Sequence, residues 1–368
     1  MAKQTEGRKA EHLQICLDEK VQARRLTSGF EDVSFVHRAL PEIDKDKIEL
    51  TTTIFNHKLK APLIVGAMTG GTQKAKKINA VVAETVERLG LGMGVGSQRV
   101  AIEDPRLEET FSIARKKAPT AFLVANIGGS QLVKGHGVKE SRKAVDMMNA
   151  DALAIHLNPL QEAIQPEGEP SYKGVLAKIG EIARELDVPV IVKETGAGMA
   201  AEEAKMLESV GVAGIDVAGA GGTSWAAVEY YRAKKIGDEF RQRLGQTFWD
   251  WGIPTAVSLV EVVQSVNIPV IASGGIRSGV DAAKALALGA SLTSVALPIL
   301  QPASDSQEKV ENKLQCIIEE LRNTMFLVGA KSPSEMKNAS VVMVGKTFEW
   351  MRARGFQPEL YAKRKRIF

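Results

Sequence analysis

The stretch PVIVKETGAGMAAEEAKMLESVGVAGIDVAGA, residues 189–220, contains one repeat unit of the fold. An apolar run at 189–195 leads into a segment of helical period that ends in glycine, and a second apolar run covers 213–220. Glycine is the expected residue just past the end of a helix. Runs that are apolar almost throughout are typical of strands buried on both faces, as in parallel sheets. The stretch therefore predicts a strand, a helix and a second, parallel strand.

The same alternation continues along most of the chain. The eight predicted strands are 61–68, 91–97, 121–128, 152–158, 189–195, 213–220, 269–275 and 292–298. Eight strand–helix repeats predict a (β/α)8 barrel of the TIM type rather than an open, doubly wound α/β sheet. The dinucleotide-binding Rossmann alternative requires a G-x-G-x-x-G turn with an acidic residue on the next strand, and the sequence contains no such unit.

Additions to the barrel complete the predicted domain organisation. Residues 1–60 form an N-terminal extension, residues 61–335 the barrel, and residues 336–368 a C-terminal extension. A long insertion, residues 223–252, follows the sixth strand and holds three of the four tryptophans, which we expect to be exposed. Because an insertion after a barrel strand lies at the rim of the active site, it is either a lid or a subunit contact.

The composition is that of an ordinary soluble globular protein. Of the 368 residues 44% are apolar and 25% charged, with a net charge of +4. No apolar run approaches the roughly 20 residues that cross a bilayer, and the N-terminus lacks a signal-peptide core. The two cysteines, Cys16 and Cys316, imply no disulfide framework and favour the cytoplasm. The basic tail AKRKRIF has no accompanying recognition motif, so we predict neither a membrane nor a nucleic-acid partner.

In a (β/α)8 barrel the active site lies at the carboxyl ends of the strands. In this chain those ends are GAMTGG (66–71), GSQR (96–99), NIGG (126–129), HLNPLQE (156–162), KETGAG (193–198), GAGGTSW (219–225), SGGIRSG (273–279) and ALP (296–298). Polar and glycine residues gather there, where the apolar strands stop. The candidate site is therefore formed by segments that are far apart in sequence.

The seventh and eighth strand ends predict a phosphate site. Gly274, Gly275 and Gly279 allow backbone amides to approach an anion, and the helix that begins near Ser278 points its N-terminus towards it. Loops after strands seven and eight commonly bind phosphate in such barrels. The alternative is a glycine turn that only joins a strand to a helix. Thr223 adds a hydroxyl to the same phosphate.

Lys193 ends the fifth apolar strand, where an ammonium without a partner is costly. Glu194 is a weak partner, because successive strand residues point to opposite faces. Schiff-base chemistry and a flavin ring would each use such a lysine. The small residues of GAMTGG allow a planar ring to lie against the backbone, and Ser97 and Asn126 supply neutral groups for its edges. With the phosphate loops, these features describe an FMN site.

With these motifs assembled, the sequence resembles the type 2 isopentenyl-diphosphate isomerases from end to end. Further motifs that carry the resemblance are RKAEHL (8–13), DVAGAGGTSW (216–225) and WGIPT (251–255). The resemblance implies a redox-neutral 1,3-allylic proton shift that interconverts isopentenyl diphosphate and dimethylallyl diphosphate. It also implies reduced FMN, NADPH or another reductant, Mg2+, and assembly as a homo-oligomer, either a tetramer or an octamer.

The resemblance further implies which residues form the site. FMN would contact Ala67, Met68, Thr69, Ser97, Asn126, Lys193, Thr223, Gly275, Ile276, Arg277, Ala296 and Leu297. The diphosphate substrate would be bound by Arg8, Lys9 and Arg99, with His12, Ser97, Gln98, Asn158 and Gln161 nearby. Glu162 would be the protein ligand of Mg2+, and the catalytic candidates are Gln161, His156, Lys193 and Glu229. His156 and Asn158 share a face by the period-two rule, so we expect both to point into the barrel mouth.

Several alternatives stay open. His12 and His156 can be structural histidines, and Glu229 can be a helix-surface partner of Arg232. An α-hydroxy-acid oxidase needs a histidine near an arginine beyond strand seven, but all five histidines precede residue 160. An IMP-dehydrogenase-like enzyme needs a cysteine near strand six, where the sequence has none. A non-enzymatic phosphate-binding scaffold with a nucleic-acid-binding tail would show steeply salt-dependent binding of duplexes.

Overall fold

The computed structural model describes residues 2–364, with side chains from residue 6 onward. Three short strands precede the barrel: β1 (Val33–Phe35), β2 (Thr52–Ile54) and β3 (His57–Leu59). Eight parallel strands then form a closed barrel: β4 (Leu63–Val65), β5 (Gly92–Gly94), β6 (Phe122–Gly128), β7 (Ala152–His156), β8 (Val190–Lys193), β9 (Gly214–Asp216), β10 (Val270–Ala272) and β11 (Leu292–Val295). A last strand, β12 (Val341–Met343), pairs with β1 in antiparallel register.

The predicted (β/α)8 barrel is confirmed. Each barrel strand lies inside one of the eight predicted runs, and the pairing of β11 with β4, Thr293 opposite Leu63, closes the barrel. The regular strands are shorter than the runs, because the chain leaves the ladder before its apolar residues end. The remaining residues of each run form the loops at the carboxyl end of the barrel.

Helices surround the barrel and occupy both extensions. They are α1 (Ala2–Asp18), α2 (Gln73–Leu89), α3 (Arg99–Glu103), α4 (Glu109–Lys117), α5 (Gly129–Leu132), α6 (Val138–Met147), α7 (Pro159–Ile164), α8 (Val175–Glu185), α9 (Ala201–Ser209), α10 (Trp225–Ile236), α11 (Glu239–Thr247), α12 (Thr255–Val263), α13 (Gly279–Leu288), α14 (Leu297–Asp305), α15 (Gln307–Val328), α16 (Pro333–Met336), α17 (Gly345–Ala353) and α18 (Glu359–Ala362). Short 3-10 helices cover Phe30–Asp32, Lys45–Lys47 and Pro105–Leu107. Among the described helices, none has both the length and the apolar character to cross a membrane.

The amino end of the barrel is closed by the β2–β3 hairpin. Ile54 and Leu59 of the hairpin are buried in one cluster with inward-facing strand residues. Phe55 at its turn packs on Phe122 and fills the space beside Gly214, where a Cβ would lie 2.8 Å from the phenyl ring. Because this end is packed, only the carboxyl end is free to bind a ligand.

Helices α10 and α11 form most of the insertion, and α10 packs against α1 and α7. The expectation that its tryptophans are all exposed is wrong. Trp249 is 3% exposed, donates from Nε1 to the backbone oxygen of Gln22, and lies under the guanidinium of Arg24. Trp225 is half-buried, and only Trp251, at 62%, is largely exposed. Trp249, near the end of the insertion, therefore anchors the segment of the chain that follows α1.

The C-terminal extension packs on the outside of the barrel. Arg354, the residue after α17, donates to the buried Glu261 of α12 at 3.0 Å, and Trp350 of α17 donates to the same carboxylate at 3.3 Å. The pairing of β12 with β1 joins this extension to the N-terminal one. Residues 365–368 of the basic tail, for which we predict no nucleic-acid role, lie outside the described residues.

Candidate active site

A large cavity opens at the carboxyl end of the barrel. It contains about 1680 Å³ of empty space, including its mouth. A deep cleft in this position is where a (β/α)8 barrel binds its ligands. Residues from strand ends around the barrel and from α1 and α14 line it.

Most of the predicted site residues meet in this cavity. Those that line it are Arg8, Lys9, His12, Ala67, Met68, Thr69, Ser97, Arg99, Asn126, His156, Gln161, Glu162, Lys193, Thr223, Gly275, Ile276, Arg277, Ala296 and Leu297. Three of the residues predicted to bind the substrate or to act in catalysis, Gln98, Asn158 and Glu229, do not line it. Their side chains contact the lining residues from behind.

The side chains of Gln98 and Asn158 form hydrogen bonds within the protein instead of facing the cavity. The fully buried Gln98 donates from Nε2 to the backbone oxygen of Ala144 at 2.7 Å and accepts from the amide of Asn126 at 2.8 Å. Asn158 donates from Nδ2 to Gln161 at 3.1 Å and to Glu162 at 3.0 Å. The expectation that Asn158 points into the mouth beside His156 is wrong. The strand ends at His156, so the period-two rule no longer applies two residues later.

The loops after β10 and β11 present free backbone donors to the cavity. Within the described chain, the N–H groups of Gly275, Ile276, Ala296 and Leu297 have no hydrogen-bond partner. Leu297 begins α14, so this helix N-terminus faces the cavity and favours an anion. Arg277 also lines the cavity, and burial lowers its pKa. These groups fit a phosphate.

The predicted role of the helix near Ser278 is wrong. The N-terminus of α13 is already capped, because Asp281 accepts from the backbone amides of Arg277 at 3.0 Å and Ser278 at 3.1 Å. The amide of Gly279 donates to Glu320 at 2.6 Å, and Gly279 does not line the cavity. Protein carboxylates thus occupy the place that the sequence suggested for a ligand phosphate, and α14 provides the free helix N-terminus instead.

The ends of β4 and β5 form a small-residue wall that fits a planar ring. A Cβ on Gly96 would lie 2.7 Å from the backbone of Thr69, so the two loops pack backbone against backbone. Lys193 reaches the cavity from β8 and donates to the backbone oxygen of Glu194 at 2.6 Å. The Glu194 carboxylate points away and accepts from three backbone amides, those of residues 195–197. Lys193 therefore keeps its charge available to a ligand.

Asp216 is a cavity residue that the sequence analysis did not select. It accepts from the Ser273 hydroxyl at 2.5 Å and from the amide of Ala218 at 3.2 Å. Burial raises the pKa of Asp216, and the nearby charge of Lys193 opposes that rise. A lone carboxylate inside the apolar run AGIDVAGA was the available signal. The other cavity residues that were missed include Leu13, Cys16, Gln131, Gln165, Thr195, Trp225, Ser273 and Ser294.

A cluster of cations lies on the side of the cavity nearest α1. Lys9 donates to the backbone oxygen of Ser97 and lies 5.2 Å from the centre of the Phe111 ring. Burial, with a smaller contribution from Arg8, lowers the pKa of Lys9 to about 7. Arg99 forms ion pairs with two glutamates behind the cavity wall. The cluster fits a polyanion. The negative charge of such a ligand would raise the pKa of Lys9 and keep its amino group protonated.

The orientation of the Glu162 carboxylate is fixed by the donors around it. Oε2 accepts from Gln165 Nε2 at 2.9 Å and from the amide of Glu169 at 2.6 Å, whereas Oε1 accepts only from Asn158, at 3.0 Å. Oε1 therefore keeps a lone pair for a metal. The described residues contain no group of three or more His, Cys, Asp or Glu that could hold a metal ion. One carboxylate fits Mg2+, which commonly completes its shell with phosphate oxygens and water.

His156 is a neutral hydrogen-bonding group. Its Nδ1 lies 2.7 Å from Oδ1 of Asn126. Burial, reinforced by the charges of Lys193 and Lys9, lowers the pKa of His156 to about 3. The imidazole is therefore uncharged at neutral pH and suited to orienting a ligand rather than to protonating it.

Glu229 joins the N-terminal helix to the barrel rim. Its carboxylate, 2% exposed, lies 2.9 Å from His12 Nε2 and 2.8 Å from Arg232 and accepts from Gln161 at 3.2 Å. Burial acts to raise its pKa, but His12 and Arg232 outweigh burial and hold the value at about 2. Glu229 is thus ionised at neutral pH, and it positions two cavity residues.

Comparison with known proteins identifies relatives along the whole chain. The family model for FMN-dependent dehydrogenases matches residues 138–343. Isopentenyl-diphosphate delta-isomerase of Methanosarcina barkeri is 49% identical over 98% of each chain. The enzyme of the same name from Methanothermobacter thermautotrophicus is 50% identical, over 97% of this chain and 99% of its own.

Solved structures share the fold at low sequence identity. A mandelate oxidase with (S)-mandelic acid aligns with a TM-score of 0.63 and 17% identity, covering 94% of this chain and 98% of that one. A mandelate oxidase with 2-hydroxy-phenylacetamide aligns with a TM-score of 0.61 and 18% identity, with the same coverage. At such identities the likeness shows the barrel alone.

Proposed function

The chain belongs to the isopentenyl-diphosphate delta-isomerase family, and on that premise we propose that it catalyses a redox-neutral 1,3-allylic proton shift using reduced FMN and Mg2+. One observation carries the proposal: a single cavity contains two separate anion-binding regions. In the barrel order, β7, which precedes Glu162, lies opposite β11, which precedes the free amides of α14. One region suits the FMN phosphate, and the other suits a diphosphate with its metal.

The groups of this chain bind and orient the substrate in the proposed reaction. Arg8, Lys9 and Arg99 bind the diphosphate, and Glu162 holds the Mg2+ that neutralises part of its charge. FMN, when bound in its reduced form, would supply a nitrogen that can exchange protons. Gln161 is fixed on both sides of its amide, by Asn158 and Glu229, and so orients the alkene.

The proposed reaction conserves electrons. One proton is added to a terminal carbon and one is removed from the carbon at the other end of the three-carbon unit, so the double bond moves without net oxidation. NADPH enters only to bring the flavin to its reduced form. His156 stays neutral and contributes a hydrogen bond, because its pKa of about 3 excludes an acid role near pH 7.

An anaerobic assay tests this function. Purified protein with FMN, NADPH and Mg2+ should convert isopentenyl diphosphate into dimethylallyl diphosphate and should also run the reverse reaction. Leaving out either Mg2+ or the reductant should reduce the rate by at least about 100-fold, in line with the contribution of electrostatic stabilisation to catalysis. If fully bound and reduced FMN gives no conversion, the proposed function is wrong.

The match to the family model for FMN-dependent dehydrogenases suggests hydroxy-acid oxidation as a second candidate activity. The loop after β10 contributes Arg277 to the cavity but no histidine. Proton removal from a hydroxy acid needs a base near that arginine, and His156 lies on β7, three strands away from β10 around the barrel. We therefore expect that (S)-mandelate does not reduce the bound flavin under anaerobic conditions.

Lys9 makes substrate capture depend on pH. Its pKa of about 7 in the unliganded protein means that the cation is lost as pH rises through neutrality. We expect kcat/KM for isopentenyl diphosphate to fall by up to about 25-fold between pH 6.5 and pH 8.5, the fall in the protonated fraction of a group with this pKa. Lys9→Arg stays charged throughout this range, so its profile should lack the decline. An equal decline in both proteins would assign the pH dependence to another group.

Lys193 is expected to act on the flavin rather than on the metal. Lys193→Met removes the one lysine that reaches the cavity from β8, and loss of a charged hydrogen bond costs about 1.5–3 kcal/mol. FMN should therefore bind about 10–100-fold more weakly, as measured by fluorescence titration. Lys178→Met, at an exposed pair with Glu181, is the control and should leave FMN affinity unchanged. Unchanged affinity in Lys193→Met would remove Lys193 from the FMN site.

We also propose assembly as a tetramer or octamer. Three large apolar side chains of the insertion, Ile236, Phe240 and Trp251, are 67%, 69% and 62% exposed. Large apolar side chains that are this exposed are common at interaction surfaces. Light scattering of the purified protein gives the mass directly, and a monomer at micromolar concentration would contradict the assembly.

A further inference from the structure

Gln165 lies directly behind Glu162 at the end of a short helix. It is the residue after α7, and its backbone amide donates to the oxygen of Gln161 at 2.9 Å. The residue is only 5% exposed, yet it lines the cavity. Its side chain therefore faces the proposed metal region from a position that bulk water does not reach.

The orientation of the Gln165 amide is fixed by its neighbour. Nε2 donates to Glu162 Oε2 at 2.9 Å. The opposite orientation would place the Gln165 oxygen against a carboxylate oxygen, with no proton between them. The observed orientation is therefore the stable one, and it directs Oε1 away from Glu162.

Gln165 Oε1 has no partner. Within the described part of the chain, three buried side-chain polar atoms lack a hydrogen bond, namely Glu103 Oε2, Gln165 Oε1 and Glu359 Oε2. The other two belong to carboxylates whose second oxygen is paired with an arginine, and neither residue lines the cavity. A buried carbonyl without a donor costs about 1–3 kcal/mol, so this oxygen is suited to a ligand that brings a donor.

The chemistry of the proposed ligands decides what that donor is. Diphosphate oxygens are acceptors and cannot bond to Gln165 Oε1. A cation alone would need to approach both Glu162 and this oxygen, but the Gln165 amide nitrogen already lies between the oxygen and Glu162 Oε2. Mg2+ dehydrates reluctantly and keeps several waters. A water bound to Mg2+ lies further from Glu162 than the ion itself, and its O–H group can donate to Gln165 Oε1.

We propose that Gln165 is a positioning residue for the metal: Nε2 orients Glu162, and Oε1 accepts a hydrogen bond from a water bound to Mg2+. This inference rests on the proposed function, because it takes Glu162 as the metal ligand. Outer-shell partners of this kind orient the ligand and tune the affinity for the ion. Gln165 thus extends the metal site by a second residue that carries no charge.

Metal binding tests the inference independently of turnover. Mn2+ is titrated into FMN-loaded protein at a fixed, saturating concentration of inorganic diphosphate, and bound Mn2+ is followed by electron paramagnetic resonance. Gln165→Met should weaken Mn2+ binding about 10–100-fold, the usual effect of losing an outer-shell partner. Gln165→Lys keeps a donor for Glu162 but has no acceptor, so it should weaken Mn2+ binding at least as much as Gln165→Met does. FMN absorbance and Tm report whether each variant is folded.

Two controls separate the inference from the proposed function. Gln315→Met removes the same kind of bond, from a glutamine amide to Glu311 on the exposed face of α15, and should leave Mn2+ binding unchanged. If Glu162→Gln binds Mn2+ as tightly as the unaltered protein, the metal site of the proposed function is wrong. If Glu162→Gln loses Mn2+ while Gln165→Met does not, only the role of Gln165 is overturned. If Gln165→Lys binds Mn2+ as tightly as the unaltered protein, the role of Oε1 is overturned, because a donor to Glu162 would then be sufficient.

Discussion

Glu162→Gln should lower the Mg2+-dependent turnover by about 100-fold or more while leaving FMN bound. Glu162 is the one carboxylate placed to bind the proposed metal, and glutamine keeps its shape but not its charge. Loss of a group that stabilises transition-state charge costs about 10²–10³ in kcat. The amide oxygen can keep the two hydrogen bonds that Oε2 accepts, from Gln165 and from the amide of Glu169, so the loop keeps its main anchors, while the amide nitrogen replaces Oε1. The rate is measured against Mg2+ concentration, and bound flavin by its absorbance.

Glu103→Gln is the matched control for this result. Glu103 also lies near the diphosphate region, where it accepts from Arg99 at 2.8 Å, but it does not line the cavity. Because Arg99 keeps its second partner, Glu169, we expect turnover to change less than about threefold in Glu103→Gln, as for partly exposed ion pairs. Loss of FMN from Glu162→Gln would show that Glu162 maintains the fold and would remove it from the metal site.

Glu229→Ala should lower the free energy of unfolding by about 3 kcal/mol, the low end of the cost of breaking a buried ion pair. Arg232, 8% exposed in its side chain, would lose its most deeply buried partner but would keep Glu11 and Glu167. His12 would lose its only carboxylate, so α1 would pack less firmly over the cavity. Because Arg8 and Lys9 are on α1, kcat/KM should fall together with stability. Urea denaturation of the FMN-loaded protein gives the first quantity, and steady-state kinetics gives the second.

An exposed pair with the same spacing provides the comparison. Lys178 and Glu181 form an i,i+3 ion pair in which each side chain is 44% exposed. Glu181→Ala should therefore cost less than about 1 kcal/mol. The pKa of Glu229, about 2, lies below the ordinary 4.5, so its contribution is complete above pH 4.5 and is lost as pH falls towards 2. Equal losses in Glu229→Ala and Glu181→Ala would show that the buried network contributes little.

The barrel could be predicted from the sequence because its signal is local and repeated. The run 189–195 indicates a buried strand on its own. Eight such runs that alternate with helices are compatible with few folds other than a (β/α)8 barrel. The prediction of a phosphate site followed from the glycines at the seventh strand end. That the Gly279 amide is already occupied could not be predicted, because the Glu320 carboxylate that accepts from it is 41 residues away along the chain.

Long-range contacts set the limit of the sequence analysis at the site. His12 and Glu229 meet across 217 residues, and no pattern of spacing indicates that pair. Arg8 and Lys9 were selected through the family resemblance alone, because a basic pair on a polar helix is normally a solvated surface. Gln165 was missed although it lies three residues after Glu162, since only the packed structure distinguishes a buried amide from an exposed one.

The central claim is a proton shift that consumes no electrons, and one measurement tests it most directly. The bound FMN is reduced photochemically without NADPH, and isopentenyl diphosphate with Mg2+ is added anaerobically in D2O. We expect many molecules of deuterium-containing dimethylallyl diphosphate per flavin, while the flavin absorbance stays that of the reduced form. Product limited to one equivalent per flavin, with matching flavin oxidation, would contradict it.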